Sequence, residues 1–192
     1  MKKSMKYKID IMGKHQCTVF STKDLNEDCI IISINDTDCN TVIFDNKHIL
    51  DVLKVVFDDL EKEPKNKENK YKLFDIHIAR EIKNFIDKYK DGVKYIVCHC
   101  TAGISRSASV GTVVSRYLNG TDNYIFSSGE YYPNRLVYKT MCETFRLEYD
   151  EVEFTNKRDR SERNYINNTK GCMYGMTLED IFSEEYCDVI ID

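Results

Sequence analysis

Residues 95–109 read YIVCHCTAGISRSAS, and the order of residue types in that stretch decides the fold. Lys94–Cys98 is a short apolar run that reads as a central strand, and Ser105–Leu118 reads as a helix stopped by Asn119-Gly120. Between them lie His99-Cys100, five residues including Gly103, and Arg106-Ser107. A loop this short between strand and helix can wrap Thr101, Ala102, Gly103, Ile104, Ser105 and Arg106 so that successive backbone N–H groups face inward, which makes a concave anion site. The helix start adds the positive end of its dipole. Arg106 supplies a planar fork for two oxygens of one phosphate. Cys100 lies at the floor of this cradle, where N–H groups, dipole and guanidinium all favour the thiolate, which is the nucleophilic form.

Outward from this stretch, strands alternate with helices. Tyr7–Met12 alternates like a strand, Cys29–Ile34 is a β-branched run ending at the Asn35-Asp36 turn, and Val52–Phe57 is a further apolar stretch. Phe74, Ile78, Ile82, Phe85, Ile86 and Tyr89 recur at spacings of three and four, giving residues 74–89 an apolar helical face. Pro133 opens a last core helix on Val137, Met141 and Phe145. The pattern predicts an α/β fold, a mostly parallel or mixed sheet flanked by helices, over residues 1–149. Residues 150–192 are expected to be an acidic extension: a polar linker over Thr155–Lys170 and a short helix at Thr177–Tyr186.

Composition bounds the rest. The 192 residues carry 28 Lys+Arg against 32 Asp+Glu, a net charge of −4. Residues 150–192 hold 11 acidic and five basic residues, a net of −6, which leaves +2 for the body. A balance of this kind argues against a nucleic-acid binder working through bulk positive charge. No run of about 18 apolar residues is present, so no membrane span is expected, and the basic start has no apolar stretch behind it of the export-leader kind. The eight cysteines are read as reduced cytoplasmic thiols rather than a disulfide framework, and none has zinc-site spacing with its neighbours.

HCTAGISRS resembles the signature of the cysteine-dependent protein tyrosine phosphatase superfamily, HCxxGxxR followed by Ser or Thr, and the AGxSRS wording is similar to the compact dual-specificity phosphatases. The likeness extends over roughly residues 5–148. It implies that Cys100 is the phosphocysteine nucleophile, that Arg106 clamps the phosphate and transition state, that Ser107 hydrogen-bonds the thiolate and helps it leave, and that His99 orients the loop. It also implies a general acid on a loop after an earlier strand. Val56-Phe57-Asp58-Asp59-Leu60 stands at that place, with Asp59 preferred and Asp58 the alternative. Asn134 of the Pro133-Asn134 pair would tie down the phosphate loop. The chain has no Trp, so the Trp-Pro-Asp acid loop of the larger relatives is absent. The polar stretch Glu61–Lys72, with five Lys, departs from the pattern and reads as a rim to the pocket or a solvated loop.

The resemblance implies a phosphatase of phosphorylated proteins, hydrolysing phosphotyrosine, with phosphoserine and phosphothreonine open as further substrates. The reduced thiols suggest the cytoplasm, and a monomer is favoured with the oligomeric state open. With backbone amides and Arg106 to meet the phosphoryl charge and no ligand cluster in the sequence, no cofactor or metal is expected. The alternatives are a phosphoinositide or RNA 5′-phosphate substrate, or a phosphopeptide-binding module without turnover. The loop positions Thr101, Ala102, Ile104 and Ser105 carry no cation to meet extra phosphates, which weighs against phosphoinositides. A thiolate stabilised in the cradle and open to solvent would be the first oxidised, with Cys29 or Cys39 as candidate resolving partner.

Overall fold

The computed structural model describes residues 5–37, 42–64 and 71–169. Four strands form one sheet: β1 (Lys8–Gly13), β2 (Cys29–Asn35), β3 (Ile49–Val56) and β4 (Tyr95–Cys100). Their order is β1-β4-β2-β3 and every pairing is parallel. Among the described residues six helices accompany them: α1 (Lys14–Ser21), α2 (Ile76–Tyr89), α3 (Arg106–Asn119), α4 (Asn123–Ser128), α5 (Arg135–Phe145) and α6 (Glu151–Thr169).

A parallel sheet covered on both faces needs strands that are apolar on both faces. β2 and β4 meet that requirement: every residue of each is buried. Ile30, Ile32 and Ile34 pack with α2, α3 and α5, through residues such as Ile82, Val113 and Met141. Cys29 and Ile31 point the other way, into a smaller cluster with Cys17 and Phe20 of α1, Tyr95 and Val97. Helix α2 begins where Asp75 Oδ1 accepts the N–H groups of His77 and Ile78 at 2.8 and 2.9 Å. Helix α3 ends on Gly120 at φ +73°.

Two expectations need correction. Pro133 lies just ahead of α5, and Asn134 is the cap, its side chain accepting the Val137 N–H at 3.1 Å. The polar segment expected to be a linker over Thr155–Lys170 is instead the body of α6 up to Thr169. Phe154, Arg158 and Ser161, spaced four and three apart, are its buried stripe. Only one of the three is apolar, so the stripe carries no hydrophobic period. The short helix expected at 177–186 lies outside the described residues, as do Cys39, Cys172 and Cys187. Among the described residues no helix is long and apolar enough to cross a membrane.

Candidate active site

In an open parallel sheet, ligands sit beyond the carboxyl ends of the strands. Three segments meet there: Asp36 after β2, Phe57–Asp59 after β3, and Thr101–Arg106 after β4. Gly13 ends β1 opposite Cys100 and supports the last of these from below. Gly103 has φ +81°, and a Cβ there would stand 2.3 Å from Gly13 N, so both the turn and the close approach require glycine. The Lys14 N–H donates to Thr101 O at 3.0 Å, fixing the loop to the first turn of α1.

Cys100 is buried at the floor. Its Sγ accepts the Gly103 N–H at 3.2 Å and stands 3.1 Å from Ser107 Oγ. Ser105 precedes α3 but does not cap it with its side chain; its Oγ donates instead to Asp59 Oδ1 at 2.9 Å. The first N–H groups of α3 therefore have no side-chain cap, the condition of a helix start that receives an anion.

Arg106 is buried and firmly aimed. Its Nη1 donates to Phe57 O at 2.9 Å and pairs with Asp36, and its Nη2 donates to Thr101 Oγ1 at 3.3 Å. Thr101 Oγ1 in turn donates to Asp36 Oδ2 at 2.5 Å. Burial would lower the guanidinium pKa, but Cys100, Asp59 and Asp36 outweigh it, and the pKa is raised above its ordinary value. Arg106 Nε is buried and makes no hydrogen bond among the described residues; its approach to Asp59 Oδ2 is 3.8 Å.

The two candidate acids have different surroundings. Asp58 closes the base of the excursion beyond it: its N–H donates to Lys72 O at 2.8 Å, and its Oδ2 accepts the Lys72 N–H at 2.6 Å and the Thr37 hydroxyl at 3.2 Å. Asp59 sits over the loop, its Oδ1 held by Ser105 Oγ and by Asn134 Nδ2 at 2.8 Å. The Asn134 amide thus reaches Asp59 of the loop after β3 rather than the Thr101–Arg106 loop. A tie to the Thr101–Arg106 loop comes from two residues earlier, where the Tyr132 N–H donates to Ile104 O at 2.9 Å. His99 is buried behind the cradle with Nε2 2.8 Å from Ser33 Oγ, and burial pushes its pKa down to about 4, so it stays neutral at physiological pH.

Asp36 is the site residue that motif reading misses, since in the sequence it stands only as part of a turn. The signal is its place: an acid one residue beyond the carboxyl end of a buried parallel strand.

No protein-family model matches this chain, and no curated protein does. Solved structures do match. The human tyrosine phosphatase-like serine/threonine/tyrosine-interacting protein is 20% identical over 80% of this chain and 87% of its own, with a TM-score of 0.38. PTPMT1 in complex with PI(5)P is 14% identical over 78% and 94%, with a TM-score of 0.48. OH1 from the Orf virus, described as a tyrosine phosphatase with triple substrate specificity, is 14% identical over 87% of each chain, with a TM-score of 0.38.

Proposed function

We propose that this chain is a cysteine-dependent phosphoric monoester hydrolase of the protein tyrosine and dual-specificity phosphatase type, acting on phosphorylated proteins through a phosphocysteine intermediate. One observation carries the reading. Cys100 Sγ sits under an inward N–H and a serine hydroxyl, at the foot of a buried arginine whose Nε makes no hydrogen bond among the described residues, with a carboxylate 3.8 Å from that same Nε.

The chemistry follows from these positions. A phosphate dianion enters the loop, taking hydrogen bonds from its backbone N–H groups and from Arg106. The Cys100 thiolate forms the S–P bond as the P–O bond to the leaving group breaks, and the Asp59 carboxyl gives its proton to the departing oxygen. Charge on the transferring group is met by the N–H groups and Arg106, held in place beforehand by Asp36 and Phe57 O. A water then attacks the phosphocysteine, giving its proton to Asp59. The S–P bond breaks to return the thiolate, which the Ser107 hydroxyl stabilises.

The experiment is turnover of para-nitrophenyl phosphate by the protein and by Cys100→Ser, alongside vanadate or tungstate binding by both. Turnover abolished in the variant with oxyanion binding retained supports the reading. A wild-type protein that binds the oxyanion but turns over nothing marks a phosphate-binding module instead. Comparing phosphotyrosine and phosphoserine peptides, phosphoinositides and triphosphorylated RNA by kcat/KM then assigns the substrate class.

A further inference from the structure

We propose that helix α6 is a brace for the general acid, with Arg158 as the positioning residue that holds the Asp59 loop through Glu61; this rests on the phosphatase reading above. Arg158 is 5% exposed, and its Nη1 donates to Glu61 Oε1 at 2.6 Å. The partners are 97 positions apart in sequence. Glu61 lies two residues beyond Asp59. The same Oε1 accepts the Arg135 N–H at 2.6 Å, so one carboxylate joins the acid loop to both the first turn of α5 and the middle of α6.

The arginine is itself held. Its guanidinium carbon lies 4.4 Å from the centre of the Tyr132 ring and 5.8 Å from that of Phe154. One turn further on, Ser161 Oγ donates to Tyr131 O at 2.5 Å. Tyr132 is the residue whose N–H binds Ile104 O of the phosphate loop. Helix α6 therefore grips two segments at once: the one that supports the phosphate loop, and the one that carries the acid. Arg158 is the buried partner and Glu61 the exposed one, so the charge-assisted contact fixes geometry because any movement that parts the pair leaves a buried guanidinium without this carboxylate. Asp59 already has Ser105 and Asn134 on one oxygen; Arg158 and Glu61 set the backbone that delivers it.

The consequence is specific. Loosening the brace harms proton delivery to the leaving group and leaves phosphate binding alone. The test uses the full chain with Arg158→Met, which keeps the apolar stem against Tyr132 and Phe154, with Arg158→Lys, and with Glu61→Ala, which cuts the same link from an exposed side chain. Phenyl phosphate, with a basic leaving group, is compared with para-nitrophenyl phosphate. We expect Arg158→Met and Glu61→Ala to lower kcat on phenyl phosphate roughly tenfold, a part of what a general acid supplies, with KM and the para-nitrophenyl rate within about twofold. Arg158→Lys should recover part of the loss, and in an Asp59→Asn background Arg158→Met should cost nothing more. Backbone hydrogen exchange over residues 57–62 should quicken in Arg158→Met. Equal losses on both esters, or unchanged exchange, would overturn the brace. If the wild-type protein hydrolyses neither ester, the phosphatase reading fails, and the exchange arm alone still decides whether Arg158 holds the loop.

Discussion

The side-chain amide of Asn134 donates to Asp59 Oδ1 at 2.8 Å, while its own oxygen caps α5 by accepting the Val137 N–H at 3.1 Å. One side chain thus does two separable jobs. Asn134→Ser keeps a capping oxygen but loses the amide donor, whereas Asn134→Ala loses both. Stability should be nearly unchanged in the serine variant and fall by about 1 kcal/mol in the alanine variant. Both should lose kcat on phenyl phosphate to a similar degree. Urea unfolding alongside kinetics separates the roles; a serine variant with wild-type kinetics would show that Asn134 does no more than cap.

The surroundings of Asp58 and Asp59 make opposite predictions for two adjacent residues. In the proposed mechanism Asp59→Asn takes away the proton given to the leaving group, so it should lower kcat by roughly 10²–10⁴-fold on phenyl phosphate, and far less on para-nitrophenyl phosphate, whose leaving group needs little protonation. Asp58→Asn loosens the clasp on Lys72 and Thr37, so its effect should be small and equal on both esters. The reverse result would move the acid to Asp58.

His99 gives the fold a defined acid sensitivity. Its pKa falls to about 4 because burial disfavours the imidazolium, while the unfolded chain titrates near 6.5. The unfolded state therefore binds the proton first as pH drops. Stability from this group is complete above about 6.5 and is lost between there and about 4. Between pH 7.5 and 4.5 the loss is on the order of 2–3 kcal/mol from this residue. Urea unfolding at those two pH values should show that excess loss in the wild type relative to His99→Asn; equal losses would reject the buried neutral imidazole.

Much of the fold is legible in the chain because it depends on local order. Strand β4, the loop and the start of α3 follow from the fifteen residues 95–109, and α2 and α5 follow from apolar spacing on a single face. Helix α1 escapes such a reading because its eight residues present only Cys17 and Phe20 as buried apolar side chains. Helix α6 escapes it for a different reason. Its buried stripe is Phe154, Arg158 and Ser161, and the last two are satisfied by Glu61 and Tyr131 O, partners that no local pattern announces. The pairing of Asp36 with Arg106 is hidden in the same way, since it exists only once β2 and β4 lie side by side.

That strand register also decides the redox behaviour. Cys29 pairs with Tyr95, at the opposite end of β4 from Cys100, so about five residues of strand, roughly 16 Å, separate the two backbone positions along the sheet. Cys29 is thereby removed as a resolving partner. Cys98 is two residues back on the same strand, at a separation of roughly 6.5–7 Å that a disulfide does not span without distortion. Burial also raises the other described thiols: Cys17 is pushed up to about 12, Cys29 and Cys142 to about 11, and Cys98 is raised as well. All four stay protonated at neutral pH and react slowly with peroxide. Cys100 alone among the described cysteines has an inward N–H, a serine hydroxyl and an arginine arranged around its sulfur. Mild peroxide should therefore inactivate through Cys100, giving a sulfenic acid that dimedone traps, with Cys17, Cys29, Cys98 and Cys142 unmodified. Reactivation by dithiothreitol should decline with exposure time as the sulfur passes to the sulfinic state. Mass spectrometry of the treated protein reads all five sites together. A disulfide joining Cys100 to Cys29 would refute the strand register argument, and an inactive protein with Cys100 still reduced would remove the thiolate from the account of inactivation.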